Sequence, residues 1–173
     1  MSHPAHPPPT DEEVLDRAAS LINEAVYTVA LQRRRLGSSE PEDENFVMRP
    51  WADMQFLIIA LRRVRRAAEL AKRVGEVRAE IEQAIVAFDA AVPSLPLMRN
   101  VGEHIDAYSA DAPQRHVTSV SRSEIAVGSW SPDEFNWLGH RLDIAAGMLA
   151  AEALRDVVFK AHRIVAQGMK RGS

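Results

Sequence analysis

Apolar residues recur every three or four positions in four stretches of the chain, which is the spacing of one face of an α-helix. The first stretch follows Thr10 and Glu13, which can form a capping box, and it predicts a helix over about residues 11–35. The other three predict a helix that starts near Pro50, a third over about residues 77–92, and a last helix over about residues 143–167. The four apolar stripes contain Leu15, Ala18, Ile22, Ala25 and Val29; Leu57, Leu61, Val64, Ala68 and Ala71; Val77, Ile81, Ala84, Ile85, Phe88 and Val92; and Ala150, Leu154, Val157, Ala161 and Ile164.

The pattern changes between residues 111 and 142, where apolar and polar residues alternate as they do in a strand. Two alternating stretches flank the turn sequence Ser-Pro-Asp-Glu at residues 131–134 and predict a β-hairpin at about residues 124–142. A hairpin of this size is not stable alone, so we expect it to pack on the helices. The sequence therefore predicts an all-α fold, a bundle of four to five helices with a small β-hairpin inserted before the last helix.

The composition predicts one domain. Residues 1–9 are Pro-rich and have no apolar period, so we expect a disordered tail followed by a single domain over residues 10–168. The 173 residues are 46% apolar and 26% charged, as in ordinary globular proteins, and the absence of cysteine excludes disulfides and thiolate zinc sites. No stretch resembles a signal peptide or a membrane span, so we expect a cytoplasmic protein that does not contact a membrane.

The segment over residues 94–108 carries the candidate chemistry. It places four polar or charged residues within two turns of one predicted helix: Arg99, Asn100, Glu103 and His104. Ser94 can cap this helix and Pro96 suits its first turn, so Arg99 lies near an end that favours anions. An arginine neutralises phosphate charge and a histidine transfers a proton near neutral pH, which together suit phosphodiester chemistry without a metal. We therefore expect neither a metal nor a cofactor.

The pattern Arg99-Asn100-x-x-x-His104 resembles the R-x4-6-H signature of HEPN domains, in which the motif begins a helix of a bundle. Many HEPN domains are metal-independent endoribonucleases that act as homodimers, whereas others bind nucleotides or are non-catalytic. The resemblance implies that Arg99 holds phosphate, that His104 activates or orients the ribose 2′-hydroxyl, and that Asn100 supports the site. It also implies that RNA or a nucleotide is a ligand, and that a second copy and an antitoxin-like protein are partners.

A structural interpretation stays open for the same residues. Arg99 with Glu103 and Asn100 with His104 are four positions apart, so each pair can interact on one helix face. An ion pair and an amide-imidazole hydrogen bond would then satisfy all four groups within the chain. Under this alternative the protein is a non-catalytic helical protein, either a dimeric interaction module or a small-ligand binder.

Other arginines provide further candidates. Arg62, Arg63 and Arg66, in the predicted second helix, suit contacts with RNA phosphates or a solvated helix face. A second R-x4-6-H match runs from Arg155 to His162, but it lies inside the last predicted helix, so we favour the first match. The formal net charge of −3 gives no general support for strong nucleic-acid binding.

Overall fold

The computed structural model describes residues 7–39, 48–113 and 117–172, and these are mostly helical. The α-helices are α1 (Asp11–Leu36), α2 (Arg49–Ala71), α3 (Arg78–Ala91), α4 (Leu95–Glu103), α5 (Ile105–Ser109), α6 (Arg122–Ile125) and α7 (Ile144–Gly172), with a 3-10 turn at Gly75–Val77. The strands are β1 (Gly128–Trp130), β2 (Glu134–Trp137) and β3 (His140–Asp143). The predicted helical character of the fold is confirmed, but the described residues form seven α-helices where four to five were predicted. Of the predicted tail, residues 1–6 lie outside the described ranges.

Helices α1 and α2 pack side by side, and α7 packs against α1, α2 and α3. Helix α1 begins as predicted, because the Thr10 hydroxyl accepts a hydrogen bond from the Glu13 N–H and the Glu13 carboxylate accepts one from the Thr10 N–H. The apolar stripes predicted for α1 and α2 are buried throughout, and that of α3 is buried except at Ala84, which is partly buried. These helices therefore share one core.

Helix α7 is longer than predicted, and its buried face is displaced by about one residue from the expected stripe. Leu154 and Ala161 are buried as expected, but Ile164 is 39% exposed. Among the α7 residues whose burial is described, the buried ones are Ile144, Gly147, Met148, Ala151, Leu154, Val158, Ala161 and Val165. This alanine-rich helix offers two neighbouring apolar stripes, so packing against the other helices, and not periodicity alone, decides which stripe is buried.

The predicted hairpin is a three-stranded antiparallel sheet in the order β1-β2-β3. Residues 124–125 were predicted to begin the hairpin but belong to the short helix α6, because Ser121 and Glu124 form a second capping box. The predicted turn at residues 131–134 joins β1 to β2, with its two end residues exchanging backbone hydrogen bonds of 2.8 and 3.4 Å. The sheet thus contains one strand more than the alternation predicted.

A two-residue turn, Leu138-Gly139, joins β2 to β3, whose pairing ends at Trp137 opposite His140. Both turn residues have positive φ, 57° at Leu138 and 71° at Gly139, as tight hairpin turns require. Leucine rarely adopts such a φ, yet Leu138 is only 4% exposed. Burial of its side chain against the core offsets the strain of the turn.

The sheet is attached to the helices through aromatic rings and polar contacts. The Trp51 ring of α2 meets the rings of Phe135 and Trp137 edge-on, with centroids 5.7 and 5.4 Å apart. The Trp137 indole N–H donates to the carbonyl of Ile125 at 3.0 Å. These contacts hold the sheet beside the first turn of α2.

Candidate functional site

The candidate residues lie on two helices, not on the single predicted one. Helix α4 ends at Glu103, and His104 has φ −122° and ψ 35°, which is not helical. Ser94 is at the N-cap position of α4 as predicted, but its hydroxyl does not cap the helix. The hydroxyl instead donates a 2.8 Å hydrogen bond to the carbonyl of Arg141 and joins α4 to the sheet. Pro96 lies in the first turn as predicted. The break at His104 therefore places a corner between α4 and α5 within the motif.

Helix α4 lies close to α2 at Gly102. A β-carbon at this position would lie 2.9 Å from the side-chain oxygen of Gln55, closer than side chains normally approach. The atom in contact is the movable end of the Gln55 side chain, so a larger residue at position 102 would displace that side chain. Helix α4 packs on α2 beside the candidate residues.

Arg99 and Glu103 form an ion pair one helical turn apart, as the structural alternative predicted. The Arg99 side chain is 24% exposed, and its Nε atom is buried without a hydrogen-bond partner among the described residues. The Glu103 carboxylate therefore neutralises much of the charge that Arg99 would present to a phosphate.

Asn100 is hydrogen-bonded to Tyr108 of α5. Its amide donates to the Tyr108 hydroxyl at 2.7 Å, and the N–H of Val117 donates to the same hydroxyl at 3.2 Å. Tyr108 is fully buried. Asn100 thus joins α4, α5 and the segment that leads into α6.

His104 is exposed at the corner between α4 and α5. Its backbone N–H donates to the carbonyl of Asn100 at 3.2 Å and closes the last turn of α4. His104 thus lies on the surface, whereas the Asn100 side chain points inward to Tyr108. The motif divides at this point into an exposed histidine and an amide that holds the fold together.

Arg62 of α2 lies near Arg99. Partial burial lowers the pKa of Arg62, and the positive charges of Arg65, Arg66 and Arg99 lower it further. Arg65 differs, because its guanidinium binds Asp89 through two hydrogen bonds of 2.7 and 2.9 Å, which raises the pKa of Arg65. The structure thus brings one of the three arginines proposed for RNA contact beside the motif.

Arg63 and Arg66, the other two, line a groove between α1 and α2. Arg66 also borders a second groove, of about 590 Å³, at the end of α2. Arg62 thus interacts electrostatically with Arg99 and with Arg66, whereas Arg63 and Arg66 line the groove between α1 and α2.

The second R-x4-6-H match lies entirely on α7. Arg155 pairs with its neighbour Asp156 at 2.9 Å, and the His162 Nε2 atom lies 3.9 Å from an Asp16 carboxylate oxygen on α1. Arg155 thus has a carboxylate partner on α7, and His162 faces a carboxylate of α1. In the part of the chain that is described, no three histidine, aspartate or glutamate side chains are grouped as metal ligands.

Comparisons with protein-family models, with curated proteins and with solved structures found no match to this chain. Within the described ranges, no individual helix has both the length and the apolar character needed to cross a membrane. Two consecutive segments, Gly75–Ala91 and Leu95–Glu103, meet that test only when joined, and they are bent by 77°.

Proposed function

We propose that this chain is a non-catalytic helical interaction protein, in which the R-N-x-x-x-H segment stabilises the corner between α4 and α5. The observation that carries the proposal is that the motif's polar groups are bound within the chain, Arg99 by Glu103 and Asn100 by Tyr108. A phosphate at Arg99 would meet the Glu103 carboxylate, whose charge repels it. The role of Asn100 is structural, because its amide binds the hydroxyl of the fully buried Tyr108.

A second candidate function is the metal-independent endoribonuclease that the HEPN resemblance implies. One observation favours it: His104 is exposed while Arg62 lies beside Arg99, so two cations and an imidazole occur on neighbouring elements. In that function the arginines would hold the phosphate and His104 would transfer a proton from the 2′-hydroxyl. A second copy would be needed to form the cleft.

The two functions are separated by incubating the chain with single-stranded RNA in excess EDTA. We expect no products with 2′,3′-cyclic phosphate ends, and no difference between the wild-type chain and Arg99→Ala or His104→Ala. The endoribonuclease instead requires cleavage of RNA but not DNA, with a loss of about a hundredfold or more in each variant. Arg155→Ala and His162→Ala are matched controls from the second motif match.

A further variant, Glu103→Gln, tests whether the carboxylate suppresses a latent site. It removes the negative charge beside Arg99 but keeps a side chain of similar shape. For an interaction protein we expect no RNA cleavage in this variant either. The appearance of EDTA-resistant cleavage in Glu103→Gln would contradict the proposal and identify Arg99 as a phosphate ligand.

A further inference from the structure

A groove of about 360 Å³ runs between α1 and α2, away from the R-N-x-x-x-H segment. We call it the α1–α2 groove, and it is lined by Leu21, Glu24, Ala25, Thr28, Arg63, Arg66, Ala67 and Leu70. Its first four lining residues belong to α1 and its last four to α2. Each helix therefore forms one wall.

The two walls carry opposite charges. Glu24 is on the α1 wall, whereas Arg63 and Arg66 are on the α2 wall, and all three are exposed. None of these three side chains forms an ion pair or a side-chain hydrogen bond within the described part of the chain. The rest of the lining is apolar except for Thr28. The groove thus has an apolar floor with one negative and one positive edge.

Large apolar residues extend the groove along both helices. On α1, Tyr27 and Leu31 are 70% and 40% exposed, three and seven positions beyond Glu24. On α2, Phe56 and Ile59 are 57% and 39% exposed and precede Arg63 at helical spacing. Exposed apolar side chains on two adjacent helices, rimmed by charge, are typical of a protein interaction surface.

If the two copies are related by a two-fold axis that runs along the groove, each copy's α1 wall faces the other copy's α2 wall. Glu24 would then lie opposite Arg63 and Arg66 of the second copy, and the same contacts would occur twice. We infer that the α1–α2 groove is the surface through which two copies of this chain associate. The inference rests on the proposed interaction function and names its partner as a second copy.

The charges also argue against a nucleic acid in this groove. A phosphate backbone is bound by surfaces that are positive along their length, whereas Glu24 here places a carboxylate opposite the two arginines. The exposed tyrosine, leucine, phenylalanine and isoleucine side chains match an apolar protein surface better than phosphates. A second copy satisfies both the charges and the apolar residues.

Charge reversal with the full-length chain tests the inference by sedimentation velocity. We expect a wild-type dimer at micromolar concentration, and a Kd raised about tenfold or more in Glu24→Arg and in the double variant Arg63→Glu, Arg66→Glu, because each places like charges opposite one another. A mixture of the two variants should form heterodimers with a Kd within about threefold of the wild-type value, because both contacts regain opposite charges. Glu76→Arg, an exposed reversal in the 3-10 turn, is the matched control.

Phe56→Ala provides a test that leaves the charge unchanged. Loss of this exposed ring should raise the Kd about fivefold or more, while circular dichroism shows an unchanged melting temperature. A wild-type monomer, a reversal that leaves the Kd unchanged, or a mixture that does not recover would each overturn the inference. Variants that weaken RNA binding but not self-association would assign the groove to nucleic acid. The RNA cleavage assay is read independently, so it tests the proposed function and not this surface.

Discussion

The long helices and the segment over residues 94–143 are stabilised in different ways. Helices α1, α2, α3 and α7 bury many small and medium apolar side chains in regular stripes, so their stability is distributed over many contacts. The second of these, residues 94–113 and 117–143, which we call the corner region, depends on a few large buried side chains and on hydrogen bonds between distant residues. Single substitutions in the corner region should therefore reduce the free energy of unfolding more than comparable substitutions in the long helices.

The most severe test of this difference is Trp137→Ala. Trp137 is 1% exposed, contacts Trp51 edge-on and binds the Ile125 carbonyl, so its loss leaves a cavity and an unpaired carbonyl. We expect the free energy of unfolding to fall by about 3–5 kcal/mol, measured by urea denaturation.

Trp130→Ala is the matched control for this substitution. Trp130 lies in the same sheet but is 43% exposed, so its removal should cost less than about 1 kcal/mol. Equal losses for the two tryptophans would contradict the assignment of the corner region's stability to the buried ring.

Tyr108→Phe tests the polar part of the comparison, with an intermediate effect. The substitution keeps the ring but leaves the Asn100 amide and the Val117 N–H without their shared acceptor. We expect a loss of about 1–3 kcal/mol in the free energy of unfolding, because partly buried donors are left unpaired.

Tyr27→Phe is the control from the helices, since Tyr27 is 70% exposed and its hydroxyl has no hydrogen bond to the described residues. It should leave the free energy of unfolding unchanged to within about 0.5 kcal/mol. If Tyr108→Phe behaved in the same way, the Asn100 contact would have no role in holding the corner.

The two capping boxes provide the smallest test and compare the regions directly. Hydrogen bonds from Thr10 lower the pKa of Glu13 in α1, and hydrogen bonds from Ser121 lower that of Glu124 in α6. Since both pKa values are below the ordinary value of 4.5, each carboxylate stabilises the folded state above that pH. Its contribution is lost as the pH falls through the lowered pKa.

Glu13→Gln and Glu124→Gln should therefore each reduce the dependence of the melting temperature on pH under acidic conditions. Across about pH 6 to about pH 3, we expect each variant to lose about 1 °C less in melting temperature than the wild-type chain, measured by circular dichroism. Similar effects are expected despite the different helix lengths, because the linkage depends on the pKa shift alone. An effect at Glu13 without one at Glu124 would show that the corner region opens before the long helices unfold.

The sequence predicted the long helices well because their caps and apolar stripes are local signals. The spacing of Thr10 and Glu13 predicted the observed start of α1, and the apolar stripes predicted for α1 and α2 are the buried ones. The prediction misplaced the buried face of α7, where alanine on both candidate stripes makes periodicity ambiguous. It also missed α6, although the Ser121 and Glu124 spacing is the same capping signal that identified α1.

The candidate site was predicted less completely, because its contacts depend on tertiary structure. The pairing of Arg99 with Glu103 follows from their spacing on one helix, and it is confirmed. The bond from Asn100 to Tyr108 could not be predicted, because it requires the chain to turn at His104 and to return at Val117. The approach of Arg62 to Arg99 likewise arises from the packing of α4 on α2, which no local pattern encodes.

The turn residue Leu138 has a further consequence for the specificity of folding. Two four-residue strands are short enough to pair in alternative registers, and a slip of one residue would exchange the faces of the sheet. Asparagine adopts a positive φ more readily, but its polar side chain would not stabilise one register relative to another by burial. Because Leu138 is buried only when β2 and β3 pair as observed, the turn itself penalises misregistered states. Local frustration at a single residue thus widens the energy gap between the native pairing and its competitors.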